Sequence, residues 1–102
     1  MTARFLACYE TPADPGAFDR HYHEVHIPLG RRLPGLRQYT VSRDVAAVRG
    51  APDYLVAELD WDTIDDLRAA FASPEGRATG EDAARLEKLA PVRRMIFTAG
   101  DA

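Results

Sequence analysis

The chain has 102 residues, 46% of them hydrophobic and 28% charged, with a formal net charge of −3 and a pI near 5.5. That length fits one small domain, residues 1–102, and the charge balance argues against a nucleic-acid binder, which carries a basic face. One cysteine, Cys8, rules out an intrachain disulfide, and no apolar run approaches the roughly 20 residues of a membrane helix, so a cytoplasmic protein without membrane contact is expected.

The first expected element is a strand over Arg4–Tyr9, a short aromatic and aliphatic run that includes Cys8, read as a buried structural thiol. Two prolines break it. Asp14 then suits a helix N-cap and Pro15 the first helical position. Phe18, Tyr22, Val25, Leu29 and Leu33 recur at steps of four, three, four and four, one stripe of an amphipathic helix. Gly35 in "LPG" suits a left-handed stop. "LRQYTVSRDV" (Leu36–Val45) reads as a second strand and "YLVAELDW" (Tyr54–Trp61) as a third, with Asp62 as the cap of a helix carrying Ile64, Leu67 and Phe71. In "SPEG", Ser73 caps a further helix and Glu75 complements its N-terminal dipole. "VRRMIFT" (Val92–Thr98) is the last strand, and the pairs Arg31/Arg32 and Arg93/Arg94 read as solvated surface.

Strand, helix, strand, strand, helix, strand predicts an α+β chain. Two right-handed crossovers interleave into a ferredoxin-like βαββαβ four-stranded antiparallel sheet with helices on one face. Both faces of that sheet carry apolar bulk. Leu55, Ala57, Leu59 and Trp61 share one side of the third strand, while Tyr54 and Val56 take the other. Leu6 and Cys8 oppose Phe5, Ala7 and Tyr9, and Met95 and Phe97 oppose Val92 and Ile96. An open apolar face favours a homodimer formed sheet to sheet.

Three histidines fall within "HYHEVH". At about 100° per residue, His26 lies at the border of the apolar stripe, His21 on the opposite flank, and His23 faces water. Pro28 has no N–H for the carbonyl of Glu24, so the helix should loosen beside His26. His26 is then either a pocket group or a core histidine bonded to backbone or a carboxylate. Metal has little support: the residue four before His26 is Tyr22, and no third ligand is marked. No nucleotide-binding loop occurs.

Tyr9, Pro12, Phe18, "HYHEVHIPL", "LPGLRQY", "YLVAELDW" and "SPEG" together resemble the EthD family, from about Phe5 to Thr98. The resemblance implies a dimeric α+β barrel. Similar barrels include cofactor-free monooxygenases, cyclases and dehydratases of aromatic polyketides and lactone isomerases, and some bind haem. The reductase label sometimes given to the family finds no reducing-cofactor site in these residues, and no cofactor is expected.

The expected function is therefore a small cofactor-independent enzyme with an apolar pocket for an aromatic or carbonyl-containing metabolite. His26 is the candidate proton donor or acceptor, and Tyr22, one turn earlier, supplies a hydroxyl. Oxygenation, cyclisation, dehydration and isomerisation all fit. Tyr9 and Trp61, closing two strands read as parallel, and Tyr54, of opposite parity, are candidate pocket-wall residues. The alternative is a non-catalytic binding or accessory protein of a degradation pathway.

Overall fold

The computed structural model describes all residues, Met1–Ala102. Strand β1 (Thr2–Tyr9) leads to α1 (Pro15–His21), a π-helical turn (Tyr22–His26) and α2 (Ile27–Gly30). There follow β2 (Gln38–Val41), β3 (Leu55–Trp61), α3 (Ile64–Ala72), α4 (Pro74–Glu87) and β4 (Val92–Ala99). The strands form one antiparallel sheet in the order β2-β3-β1-β4, the ferredoxin-like arrangement expected from the element order. No helix is long and apolar enough to cross a membrane.

Alternation along the strands sorts the sheet into two faces. Ala3, Ala7 and Tyr9 pair with Trp61, Ala57 and Leu55, and all six are buried beneath the helices. Phe18, Tyr22, Leu33, Leu67 and Leu86 come down onto them. Each fully buried large side chain is worth roughly 1.5–3 kcal/mol, so this layer holds the helices on the sheet.

Most element ends follow the expected chemistry. Asp14 Oδ1 accepts from Ala17 N–H at 3.1 Å, and Ser73 Oγ accepts from Gly76 N–H at 3.1 Å. The cap of α3 is Thr63, not Asp62: Asp66 N–H donates to Thr63 Oγ1 at 3.1 Å, while Asp62 pairs with Arg37 in solvent. Strand β2 is shorter than Leu36–Val45. Its ladder ends where Ser42 Oγ, a side chain, takes the Val56 N–H at 2.8 Å. Gly35 has the left-handed backbone, φ +72°, and packs on the Trp61 ring.

The long helix departs from its expected stripe. Ile27 N–H donates to Tyr22 O, five residues back, and this wider turn rotates the chain more slowly than an α-helix. The residue four after Tyr22 therefore lands beneath it, and the residue three after falls short of the core. The inward set is Phe18, Tyr22, His26, Gly30 and Leu33. Val25 is exposed, and Leu29 is only half-buried. The loosening expected at Pro28 takes this form: the proline cannot donate to Glu24, and the α-register is lost in the turn just before it.

Candidate functional site: a cavity beside His26

Small residues leave room under the helices. Ala7 and Ala57 face each other across β1 and β3, and Gly80 and Ala83 face them from α4. The result is a cavity of about 260 Å³. Phe5, Leu33, Leu59 and Phe71 supply much of its apolar wall, and its polar groups are Tyr9, Tyr22, His26, Tyr39, Thr79 and Arg94.

The π turn aims His26 at this space. His26 is 8% exposed as a residue, and its Nδ1 lies 2.9 Å from Oδ2 of Asp82. The other oxygen of Asp82 lies 2.8 Å from Nε2 of His21, so one carboxylate on α4 bridges two imidazoles. Asp82 is almost wholly buried. Burial pushes its carboxyl up, but the hydrogen bonds from His26 and His21 together outweigh burial and hold it below 3.8. Burial lowers His26 below 6.5 against the opposing pull of Asp82. The ground state is thus an ionised carboxylate and a neutral His26. An ionised carboxylate only accepts, so His26 Nδ1 carries the proton. Nε2 then holds a lone pair, has no protein partner, and is not sealed in, since no buried side-chain nitrogen or oxygen lacks a partner.

A second polar pair lies next to the first. Tyr22 and Tyr39 hydroxyls are 2.8 Å apart, and the Tyr22 and His26 rings are 5.2 Å apart. Burial pushes Tyr39 up to about 12 and Tyr22 higher still, so both are neutral hydroxyls and one of them always has a proton to donate. Gly30 permits this pairing, because a Cβ there would lie 2.7 Å from the Tyr39 ring. Tyr9 is buried edge-on to Phe18 and Tyr22. Its phenol is raised by burial and opposed by Arg94.

Of the five residues named from sequence, the cavity brings together His26, Tyr22 and Tyr9. Tyr54 and Trp61 lie outside it. Strands β1 and β3 run antiparallel, so Tyr9 pairs with Leu55 and Trp61 with Ala3. Six residues of strand separate the two ends, about 20 Å. Trp61 is buried against Phe71, and its Nε1–H donates to Pro34 O at 2.9 Å. Tyr54 packs edge-on against Phe18, and its hydroxyl donates to the Asp19 carboxylate at 2.9 and 3.0 Å. Arg94 is not plain surface: it lines the cavity, its guanidinium donating to Glu87 and to Ala83 O. His23 is in solvent, and no group of three or more His, Cys, Asp or Glu side chains is placed to hold a metal ion.

Sequence reading missed Asp82, Tyr39 and Arg94. For Asp82 a signal existed. Thr79, Asp82 and Leu86 are spaced three and four apart and share the buried face of α4. A carboxylate on such a stripe needs a partner, and the histidine cluster was the available one.

Comparison with known proteins places the chain among relatives. The EthD domain pattern matches residues 10–87. An uncharacterised 11.0 kDa protein from the thcB-thcC intergenic region of Rhodococcus erythropolis is 34% identical over 96 residues, 93% of this chain and 91% of that one. The crystal structure of an ethyl tert-butyl ether D (EthD) family protein from Bacillus halodurans superposes with a TM-score of 0.88 at 38% identity, covering 98% of this chain and all of that one. SnoaB from Streptomyces nogalater, described as a cofactor-independent oxygenase, superposes with a TM-score of 0.72 at 22% identity, covering 99% and 95%. At that identity the likeness is one of fold.

Proposed function

Since the chain belongs to the EthD family, we propose that it is a small cofactor-independent enzyme in which His26 moves a proton on an apolar aromatic or carbonyl-containing metabolite. One observation carries this reading. An imidazole that lines an apolar cavity is held at Nδ1 by a buried carboxylate, and its Nε2 has no protein partner. Such a carboxylate fixes the tautomer and ring orientation and supports the imidazolium that forms when the base works.

The chemistry follows from the groups present. Nε2 takes a proton from an acidic C–H or O–H of the bound molecule. The negative charge left on the substrate oxygen accepts a hydrogen bond from the Tyr22–Tyr39 pair. Returning the proton to another atom gives isomerisation, and returning it to a leaving hydroxyl gives dehydration. Attack of the carbanion on a second carbonyl gives cyclisation, and its reaction with dioxygen gives the oxygenation ascribed to SnoaB. An apolar cavity of about 150 Å³ accepts benzene, so about 260 Å³ suits a ligand of one or two rings. General acid–base catalysis contributes about 10²–10⁴-fold. His26→Gln, which keeps a polar side chain of similar reach, should therefore lower kcat on a turned-over substrate by at least about 10²-fold. Full turnover by that variant would remove the proton-transfer role and leave the alternative, a protein that only binds the metabolite.

The proposed partner is a second copy of the chain. Met95 and Phe97 are 43% and 39% exposed and lie with Leu6 and Cys8 on the sheet face away from the helices. Arg4 and Asp60 form a paired charge on the same face. Sheet-to-sheet packing would cover the apolar group and keep the ion pair satisfied.

A further inference from the structure

The carboxylate of Asp82 serves two imidazoles in unequal surroundings. The His21 side chain is 26% exposed and the His26 side chain 10%, on either side of a carboxylate that is 1% exposed. Only one formal negative charge lies between them. A proton added to either ring makes a cation that this charge can offset, and a second cation would find it already neutralised. The apolar cavity does not support a cation at His26.

We propose that His21 is a positioning residue for His26: it holds the outer oxygen of Asp82, and positive charge at that outer position, sharing the one carboxylate, keeps the cavity-facing imidazole in its free-base form. The inference rests on the base reading for its consequence in turnover, but the coupling through Asp82 can be read whether or not a substrate is turned over. The other charged and titratable groups facing the pair act around this coupling. From α4, Arg85 lies 3.5 Å from the same outer oxygen of Asp82 and is itself largely exposed. From β4, Arg94 adds positive charge near His26. Within the π turn and from β2, Tyr22 and Tyr39 stay neutral. His21 is the imidazole that shares the carboxylate of Asp82 with His26.

The test follows both rings by long-range proton–nitrogen NMR of ¹⁵N-histidine-labelled full-length protein through a pH titration. In His21→Gln, whose amide can still donate to Asp82, the His26 midpoint should rise by at least about half a pH unit, because the carboxylate no longer shares its charge with a second cation. In His21→Lys, a fixed cation at the same place, it should fall. In an Asp82→Asn background the His21→Gln shift should shrink to less than half. A His26 midpoint unmoved in both His21 variants overturns the proposal. So does an equal His21→Gln shift with Asp82 absent, which would mean action through space and not through the shared carboxylate. Turnover by His26→Gln reports on the base reading separately. If that reading holds, the acid limb of the wild-type pH–rate profile should lie lower in pH than that of His21→Gln.

Discussion

Asp82 and His26 form a buried pair beside the cavity, and both bind protons less readily when folded. His26 lies below its ordinary 6.5 because burial opposes its charge. Asp82 lies below 3.8 because two imidazoles hold it against burial. As pH falls, the unfolded chain takes up these protons first, so stability drops with acid. The His26 contribution is lost progressively below 6.5 until its lowered folded value is passed, and the Asp82 contribution is lost in the same way below 3.8. Urea midpoints should therefore fall between about pH 8 and about pH 5, and His26→Gln should flatten that fall. A wild-type midpoint that held or rose across this window would contradict the assignment. At this scale the histidine was legible, because an imidazole on the edge of an apolar stripe beside a proline has few explanations. Its carboxylate stands more than fifty residues away on α4, and only its place on the buried stripe of Thr79, Asp82 and Leu86 marked it. Trp61 was misplaced because two strand ends were read as neighbours when the antiparallel sheet puts them at opposite ends.

The π turn is the element that makes the site. Regular α-periodicity put Val25 and Leu29 in the core, yet the structure turns His26 and Gly30 inward. Proline marks where the α-register fails, but not which wider register replaces it, so the sequence indicated the loosening and not its phase. Two caps were readable because each depends on residues within one turn: Asp14 and Ser73 act as their neighbours imply, while the cap of α3 was placed one residue early, on Asp62 and not Thr63. The length of β2 was not, because its end depends on a side-chain bond across to β3. Gly30 gives a test at this scale. Gly30→Ala places a methyl against the Tyr39 ring, and overpacking of this kind costs about 1–3 kcal/mol. The expected result is a lower urea midpoint of that size together with displacement of Tyr39 from Tyr22, seen in their aromatic NMR signals. Unchanged stability and unchanged signals would show that Gly30 is not what lets the two tyrosines meet.

On the scale of the whole molecule, the sheet divides the labour. Its helix-side face is cut back by Ala7 and Ala57 to make the cavity, and its other face carries the exposed Met95 and Phe97. Element order alone was enough to fix this architecture, since few topologies connect these six segments without crossing. The proposed pairing predicts sedimentation at twice the 11.3 kDa chain mass at micromolar concentration, and Phe97→Asp should shift the population toward monomer. A stable wild-type monomer would exclude it. The most direct test of the proposed proton-transfer site is the long-range proton–nitrogen spectrum of His26, recorded without and with 1-naphthol as a two-ring phenol probe. The expected result is an Nδ1-protonated ring whose bare Nε2 signal moves saturably as the probe binds. A ring protonated at Nε2, or an Nε2 signal that ignores the probe while it binds elsewhere, would contradict it.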